Sequence, residues 1–257
     1  MNVSCDLRGI GVLVTRPEHQ AGGLCERIEA SGGMALPFPA IRIEPTEDAG
    51  AAGLLQGMEA GDTLIFVSPN AVTFGLQLLH GERLPDCIRL ASVGKGTARV
   101  LMQAGYPPDV VPSTRFDSEG LLATSELQQV AGKRIVIVRG VGGRALLGET
   151  LNQRGAEVSY AEVYRRQRPV VDVAPLLADW SRRVQVVTAT SNDILANLAA
   201  LLGDAGRQSL CLTPLLVISP RMVEEARRMG FEQIVLADGA DDESIVRRLC
   251  EWWMETH

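Results

Sequence analysis

Residues 134–166 read RIVIVRGVGGRALLGETLNQRGAEVSYAEVYRR, and this stretch decides the fold. Ile135 to Val138 is a short, β-branched apolar run, which predicts a buried strand over 134–138. Gly140, Gly142 and Gly143 then break the pattern and mark a turn. A helix is predicted over 143–153, stopped by Gly155, and residues 157–166 are extended again. Strand, turn, helix and strand in this order is the building block of a layered α/β protein with a parallel sheet.

The same order occurs at the N-terminus, over residues 10–45. IGVLVT (10–15) predicts a strand, and Arg16-Pro17 ends it, with the proline suited to a first helical turn. Ala21, Leu24, Cys25 and Ile28 recur at helical spacing over 18–30, and Gly32-Gly33 close that helix. MALPFPAIRIEP (34–45) is extended and proline-rich, as an edge strand or a connector would be. Between the two copies, strands are predicted at 63–67, 88–93 and 110–111, and helices at 49–59, 70–80, from Gly94 to Gln103, and from Asp117 to about Gln128. Beyond a second connector at Arg168-Pro169 come strands 184–188, 215–218 and 233–236, with helices near 173–181 and over 192–202, 220–229 and 241–255.

The two halves align. GVLVTRP (11–17) lies on RIVIVRG (134–140), and TLIFVSPNA (63–71) on QVVTATSND (185–193), so that Ser68-Pro69-Asn70 meets Thr190-Ser191-Asn192. The segment from Ala91 lies on that from Val217, and DSEGLL (117–122) on the region of Asp242-Glu243-Ser244. A repeat of about 125 residues is too long for a solenoid, whose periods run roughly 20–50. It fits two similar three-layer α/β domains with parallel sheets, and paired lobes of this kind commonly bind ligands in the cleft between them.

Composition narrows the function. With 46% hydrophobic and 22% charged residues in 257, the chain is an ordinary soluble globular protein, long enough for two domains. Aromatics at 4% leave few platforms for stacking bases, and a net charge of −6 argues against a general polyanion binder, nucleic acid included. Cys5, Cys25, Cys87, Cys211 and Cys250 have no metal-ligand spacing and read as reduced thiols of a cytoplasmic protein. His19, His80 and His257 form no ligand pair. The N-terminus lacks the apolar segment of a signal peptide, and no apolar run reaches the ~18 residues of a membrane span.

Ligands of open α/β sheets bind beyond the carboxyl ends of the strands. The turns there hold Arg16, Ser68 and Asn70, Gly94 with Lys95 and Thr97, Arg139 with Gly140, Gly143 and Arg144, Ser191 with Asn192, and Ser219 with Arg221. Free amides at helix starts, with a cation beside them, attract carboxylates or phosphates. Each residue also has a plainer reading: Ser and Asn before a helix act as caps, and Arg16 and Arg144 read equally as partners in structural ion pairs. Gly140-x-Gly142-Gly143 lacks the G-x-G-x-x-G spacing and its acidic partner, so a dinucleotide loop is not indicated. No Walker lysine pattern and no Ser/His/Asp set can be placed. Tyr164 ends an alternating strand beside Arg165 and Arg166. A phenol, with a reference pKa near 10, can give a proton to a leaving oxygen while staying neutral at pH 7. A tyrosine packed at a domain junction is the other reading.

In this order and spacing, Thr15-Arg16-Pro17, Phe66 to Val72, Val93-Gly94 with Thr97-Ala98, Ser118 to Leu122, Arg139 to Arg144, Val163 to Arg166 and Ile218 to Arg221 resemble the uroporphyrinogen-III synthase family. The resemblance covers residues 10–250. It implies two α/β domains joined by two extended connectors, one domain from residues 1–38 with 168–257 and the other from 42–165. It implies closure of hydroxymethylbilane, a linear tetrapyrrole with eight carboxylates, to uroporphyrinogen III. Water is lost, the last pyrrole is inverted through a spiro intermediate, and no metal or organic cofactor takes part. Tyr164 is then the expected acid, Thr97 stands at the place of a cleft threonine, and Ser68 and Ser191 are further candidates. Pro69 departs from a fully donating turn because it lacks an N–H. The implied protein is a cytoplasmic monomer that takes its substrate from the bilane-forming enzyme. A non-catalytic, two-lobed binding or sensor module for an anionic small molecule is the alternative.

Overall fold

A computed structural model describes residues 6–256. In chain order the elements are β1 (Gly11–Val14), α1 (Glu18–Ala30), β2 (Met34–Pro37), β3 (Arg42–Pro45), α2 (Ala49–Gln56), β4 (Thr63–Phe66), α3 (Pro69–Gln77), β5 (Arg89–Ser92) and α4 (Lys95–Gln103). They continue with α5 (Ser118–Leu122), β6 (Arg134–Gly140), α6 (Leu146–Gln153), β7 (Glu157–Gln167), α7 (Ala174–Ala178) and α8 (Trp180–Arg183). Then come β8 (Val186–Thr188), α9 (Asn192–Leu212), β9 (Leu215–Val217), α10 (Pro220–Met229), β10 (Ile234–Leu236) and α11 (Asp242–Thr256). The chain divides into two compact units, Met1–Arg42 with Gln167–His257, and Ile43–Arg166.

The sheet of the first unit has the order β10-β9-β8-β1-β2, with each strand parallel to its neighbour. Numbered within the unit this is 2-1-3-4-5, the flavodoxin-like doubly wound order. One face packs Val12, Val14, Val186, Leu216 and Val235 against α1 and α11. Leu13, Val187, Leu215 and Val217 alternate to the opposite face and are fully buried.

The second unit has the order β3-β7-β6-β4-β5, and Val110 bridges in parallel to Ala91 of β5. From β7 onward, β7-β6-β4-β5-Val110 repeats 2-1-3-4-5 with its first two strands moved to the end of the segment. One face carries Phe66, Leu90, Val136 and Val138 against α2, α3 and α4. The other carries Ile65, Ala91, Ile135 and Ile137 against α5 and α6. The sheet is thus buried on both faces, which is why its strands read as unbroken apolar runs.

The repeat is real, and its register differs by one residue from the sequence alignment. Leu64 of β4 faces Val136, and Val187 of β8 faces Leu13. With β1 laid on β6, Ser68 therefore matches Ser191, where the alignment had placed it on Thr190. Gly94 likewise matches Ser219. Backbone angles agree: Ser68 has φ −159°, ψ 161°, Ser191 −160°, 159°, Gly94 −158°, 168° and Ser219 −156°, 152°. The hydroxyls of Ser68, Ser191 and Ser219 accept from the amides of Ala71, Ile194 and Met222, three identical caps. Asp117 and Asp241 form a further matched pair, accepting from Gly120 and Ser244.

Other boundaries moved for local reasons. The helix expected from Asp117 to Gln128 stops at Leu122, and a single 3-10 turn follows at Ser125–Leu127. Thr124 between them is extended, at φ −68°, ψ 148°. The helix expected over 192–202 breaks at Gly203, with φ 58°, and resumes to Leu212. Pro107, Pro108 and Pro112 flank Val110-Val111, so the expected short strand reduces to one bridge. Cys25, Cys87 and Cys211 are free thiols. Cys250 is disulfide-bonded, against the reduced reading, and Cys5 lies outside the described residues. Among the described residues no helix is long and apolar enough to cross a membrane.

Candidate active site

In the second unit β6 and β4 are neighbours, yet the helices that follow them pack on opposite faces. α6 brings Leu147 and Leu151 to one face, and α3 brings Ala71 and Val72 to the other. A crevice opens at such a switch point, beyond the carboxyl ends of the strands. A cavity of about 340 Å³ lies there. Val67 and Ser68 beyond β4, Val93 beyond β5, Ser118 of α5, the turn Arg139 to Arg144, and Tyr164 and Arg166 of β7 form its wall.

Tyr164 reaches this wall through a β-bulge. Along β6 and β7 the register runs Val138 to Ala161 and Arg139 to Glu162, then slips so that Gly140 faces Tyr164. Plain alternation would put Tyr164 on the face of Tyr160 and Glu162. With the bulge it follows Ala161 and Val163 onto the opposite face, where its ring lies 5.9 Å from that of Phe74. A Cβ at residue 140 would sit 2.6 Å from the Tyr164 ring, so only glycine fits there.

Tyr164 is 3% exposed, and its hydroxyl is 3.2 Å from Ser68 Oγ and 3.5 Å from an Arg166 guanidinium nitrogen. That guanidinium also lies 5.8 Å from the centre of the Tyr164 ring. Ser68 Oγ already accepts the amide of Ala71 at 3.1 Å.

The cavity wall includes Arg139, Arg144 and Arg166 and, among the described residues, no carboxylate side chain. The three arginines differ in what they hold. Arg139 pairs with Glu162 at 2.8 Å, lies 3.7 Å above the Tyr160 ring, and donates to Gly143 O at 3.1 Å. Its charge is balanced, and it ties the glycine turn in place. Tyr160 in turn is seated where a Cβ on Gly148 would meet its hydroxyl at 1.9 Å. Arg144 and Arg166 are exposed, and among the described residues neither has a carboxylate partner. Gly142, at φ 71°, gives the turn its left-handed step.

The cavity therefore brings together Ser68, Arg139, Gly140, Gly143, Arg144 and Tyr164 from the expected residues. Asn70 and Thr97 are buried in helical first turns, and Gly94 caps α4 with no side chain to cover its amides. Lys95 lies 4.4 Å over the Phe116 ring. Arg16, Ser191, Asn192, Ser219 and Arg221 belong to the other unit. There Arg16 is 8% exposed and pairs with Asp242 while donating to Ala240 O, the structural ion pair of its two readings. Arg16 and Arg139 occupy matching repeat positions, and an acid engages each. Asn192 Oδ1 is buried without a partner among the described residues. Sequence reasoning placed Arg166, Ser118 and Val93 in segments that carry the family resemblance but did not put them forward as site residues. Arg166 carried a further signal, as a cation two residues beyond Tyr164 on the same strand.

Two doubly wound parallel-sheet units, one of them permuted, with a tyrosine and arginines lining a cavity at a switch point, define a two-unit α/β protein with a cationic site. Residues 23–247 match the family described as uroporphyrinogen-III synthase HemD. The chain is 36% identical over 248 residues to the uroporphyrinogen-III synthase of Escherichia coli, covering 93% of this chain and all of that one. It is 25% identical over 250 residues to that of Chlorobaculum parvum, covering 93% and 98%. In fold it is similar to a uroporphyrinogen III synthase variant from Thermus thermophilus (TM-score 0.65, 18% identity, 96% and 100% covered). It is also similar to the enzyme of Helicobacter pylori (TM-score 0.60, 13% identity, 96% and 100% covered). The chain belongs to the uroporphyrinogen-III synthase family.

Proposed function

We propose that this chain carries out the family's reaction, the closure of hydroxymethylbilane to uroporphyrinogen III, with the cavity of the second unit as its reacting centre. The substrate hydroxyl must leave as water, so its oxygen needs a proton. Tyr164 is the group at the cavity wall that can give one without carrying charge at neutral pH. Departure leaves a cation that the electron-rich pyrrole stabilises by itself. The protein's larger task is to hold the flexible chain so that the last ring is attacked at its substituted carbon, which is catalysis by positioning.

Charge supports the same reading. The substrate is a polycarboxylate, and Arg144 at the cavity wall is a cation without an acid of its own among the described residues. Arg139 serves the turn and Arg16 serves α11, so we assign both to positioning. The protein acts as a cytoplasmic monomer in this reading, and the labile bilane is handed over by the enzyme that forms it.

The single observation that carries the proposal is Tyr164 on the cavity wall, its hydroxyl 3.2 Å from Ser68 and beside Arg166. Pure protein incubated with hydroxymethylbilane, without added cofactor, is expected to yield the type III isomer. Recovery of the type I isomer alone, the product of spontaneous closure, would refute it. Binding without turnover would make the chain a ligand-binding module.

A further inference from the structure

Hydrogen-bond accounting around Tyr164 carries one step more. A phenol has one proton to give and oxygen lone pairs to receive. Ser68 Oγ accepts the Ala71 amide, so its own proton is free to point elsewhere, and Tyr164 Oη stands 3.2 Å away. Arg166 has only donors, so its contact with Tyr164 Oη can run in one direction. With Ser68 and Arg166 both donating to the phenol oxygen, its remaining proton is left to the cavity.

We propose that Ser68 and Arg166 are positioning residues that make Tyr164 a dedicated donor and then hold its phenolate. This rests on the reading of Tyr164 as the acid. In the first step the Tyr164 O–H bond breaks and the proton goes to the substrate hydroxyl oxygen. The carbon–oxygen bond then breaks, its electron pair leaving with water, and the positive charge stays on the pyrrole. The phenolate that remains receives Ser68 O–H and an Arg166 N–H. Ser68 in turn is backed by the Ala71 amide and by the positive end of α3. When the closing pyrrole carbon loses its proton and becomes aromatic again, the phenolate takes that proton back. One proton given, one returned and one water released close the cycle without an added acid.

The arrangement is particular to the second unit. Ser191 and Ser219 cap their helices with the same geometry, but no tyrosine hydroxyl is bonded to either among the described residues. The cap alone does not account for the Ser68–Tyr164–Arg166 contact. The bulge at Arg139 and Gly140 brings Tyr164 to the cap, and Arg166 follows on the same strand.

The test is a double-mutant cycle on the full chain. Ser68→Ala and Arg166→Gln are each expected to lower kcat about 10-fold, the size expected for one hydrogen bond to a charged group, with KM changed less than about two-fold. Ser68→Thr keeps both hydroxyl and cap and should restore kcat, and Arg166→Lys should restore part of it. In a Tyr164→Phe background neither loss should appear again, because the group they serve is gone. Losses that multiply in full on Tyr164→Phe, or that fall on KM alone, would overturn the proposal. A second measurement reads the contact without turnover. Carbon-13 at the tyrosine ring carbon bearing oxygen gives one signal for each of the three tyrosines. The signal removed by Tyr164→Phe should shift in Ser68→Ala and in Arg166→Gln, and a signal that stays in place in both refutes the contact. This reading holds or fails separately from the isomer assay.

Discussion

Gly140 faces Tyr164 across β6 and β7, and the tyrosine ring fills the space that any side chain at residue 140 would need. The contact is steric: a Cβ would lie 2.6 Å from the ring. The ring is buried and packs against Phe74. Gly140→Ala is therefore expected to destabilise the second unit by about 1–3 kcal/mol, the usual cost of overpacking. It should also lower kcat nearly as far as loss of the phenol does, because the hydroxyl moves off Ser68. Denaturant unfolding and single-turnover kinetics on the same preparation check the two effects. A stable variant with full activity would show that the ring has another place to go.

Tyr164→Phe separates packing from chemistry. The ring, its contact with Phe74 and its place over Gly140 are kept, and only the hydroxyl is lost. Ser68 Oγ keeps the Ala71 amide, so α3 stays capped. Stability is expected to change by no more than about 1 kcal/mol. The rate of type III formation should fall by about 100-fold or more, as for removal of a general acid. Steady-state kinetics and thermal unfolding measure both, and an unchanged rate removes Tyr164 from the mechanism.

The layers could be read from the chain because parallel strands buried on both faces leave unbroken apolar runs, as in Ile135 to Val138 and Leu64 to Phe66. The same feature hid the register. Strands of three or four residues with no polar side have no alternation to fix the repeat, so Ser68 was laid on Thr190 when its partner is Ser191. The facing of Tyr164 was hidden for a related reason. Alternation along VSYAEVY puts the tyrosine with Glu162, and nothing in the sequence marks the extra residue that turns it over. The ion pair of Arg16 with Asp242 depends on which helix start meets the Arg16 turn, that of Arg139 with Glu162 on the register of β6 and β7, and residue type alone does not tell an engaged arginine from a free one.

The matched aspartates predict an acid-sensitive edge to both units. The Gly120 amide, and then the Arg115 guanidinium, hold the Asp117 carboxyl below the ordinary aspartate range. The Ser244 amide and hydroxyl do the same for Asp241. A depressed folded value means that the stabilisation is complete above the unfolded value and is lost as pH falls through the folded one. The loss should begin below about pH 4, where free aspartate takes up its proton. Asp117→Asn and Asp241→Asn can still accept the cap amide but cannot titrate. The wild-type melting temperature should fall more steeply than that of either variant between about pH 5 and pH 3. Parallel curves would show that the caps do not sense pH.

Arg139 and Arg144 stand in one turn, yet opposite responses are expected from them. Arg139 is spent inside the protein, on Glu162, on the Tyr160 ring and on the carbonyl of Gly143. Arg139→Ala leaves Glu162 without its partner and the turn without its tie, at a cost of about 1–3 kcal/mol in stability. Arg144 holds no carboxylate among the described residues and reaches the cavity from the exposed side. Arg144→Ala should leave stability within about 0.5 kcal/mol, while KM rises about 10-fold through loss of one charge-assisted contact to a substrate carboxylate. Since that contact exists before and during the reaction, kcat should hardly move. Thermal unfolding together with the separate values of kcat and KM distinguishes the two residues. If Arg139→Ala is stable and only its KM rises, Arg139 is a carboxylate ligand and the glycine turn keeps its shape unaided.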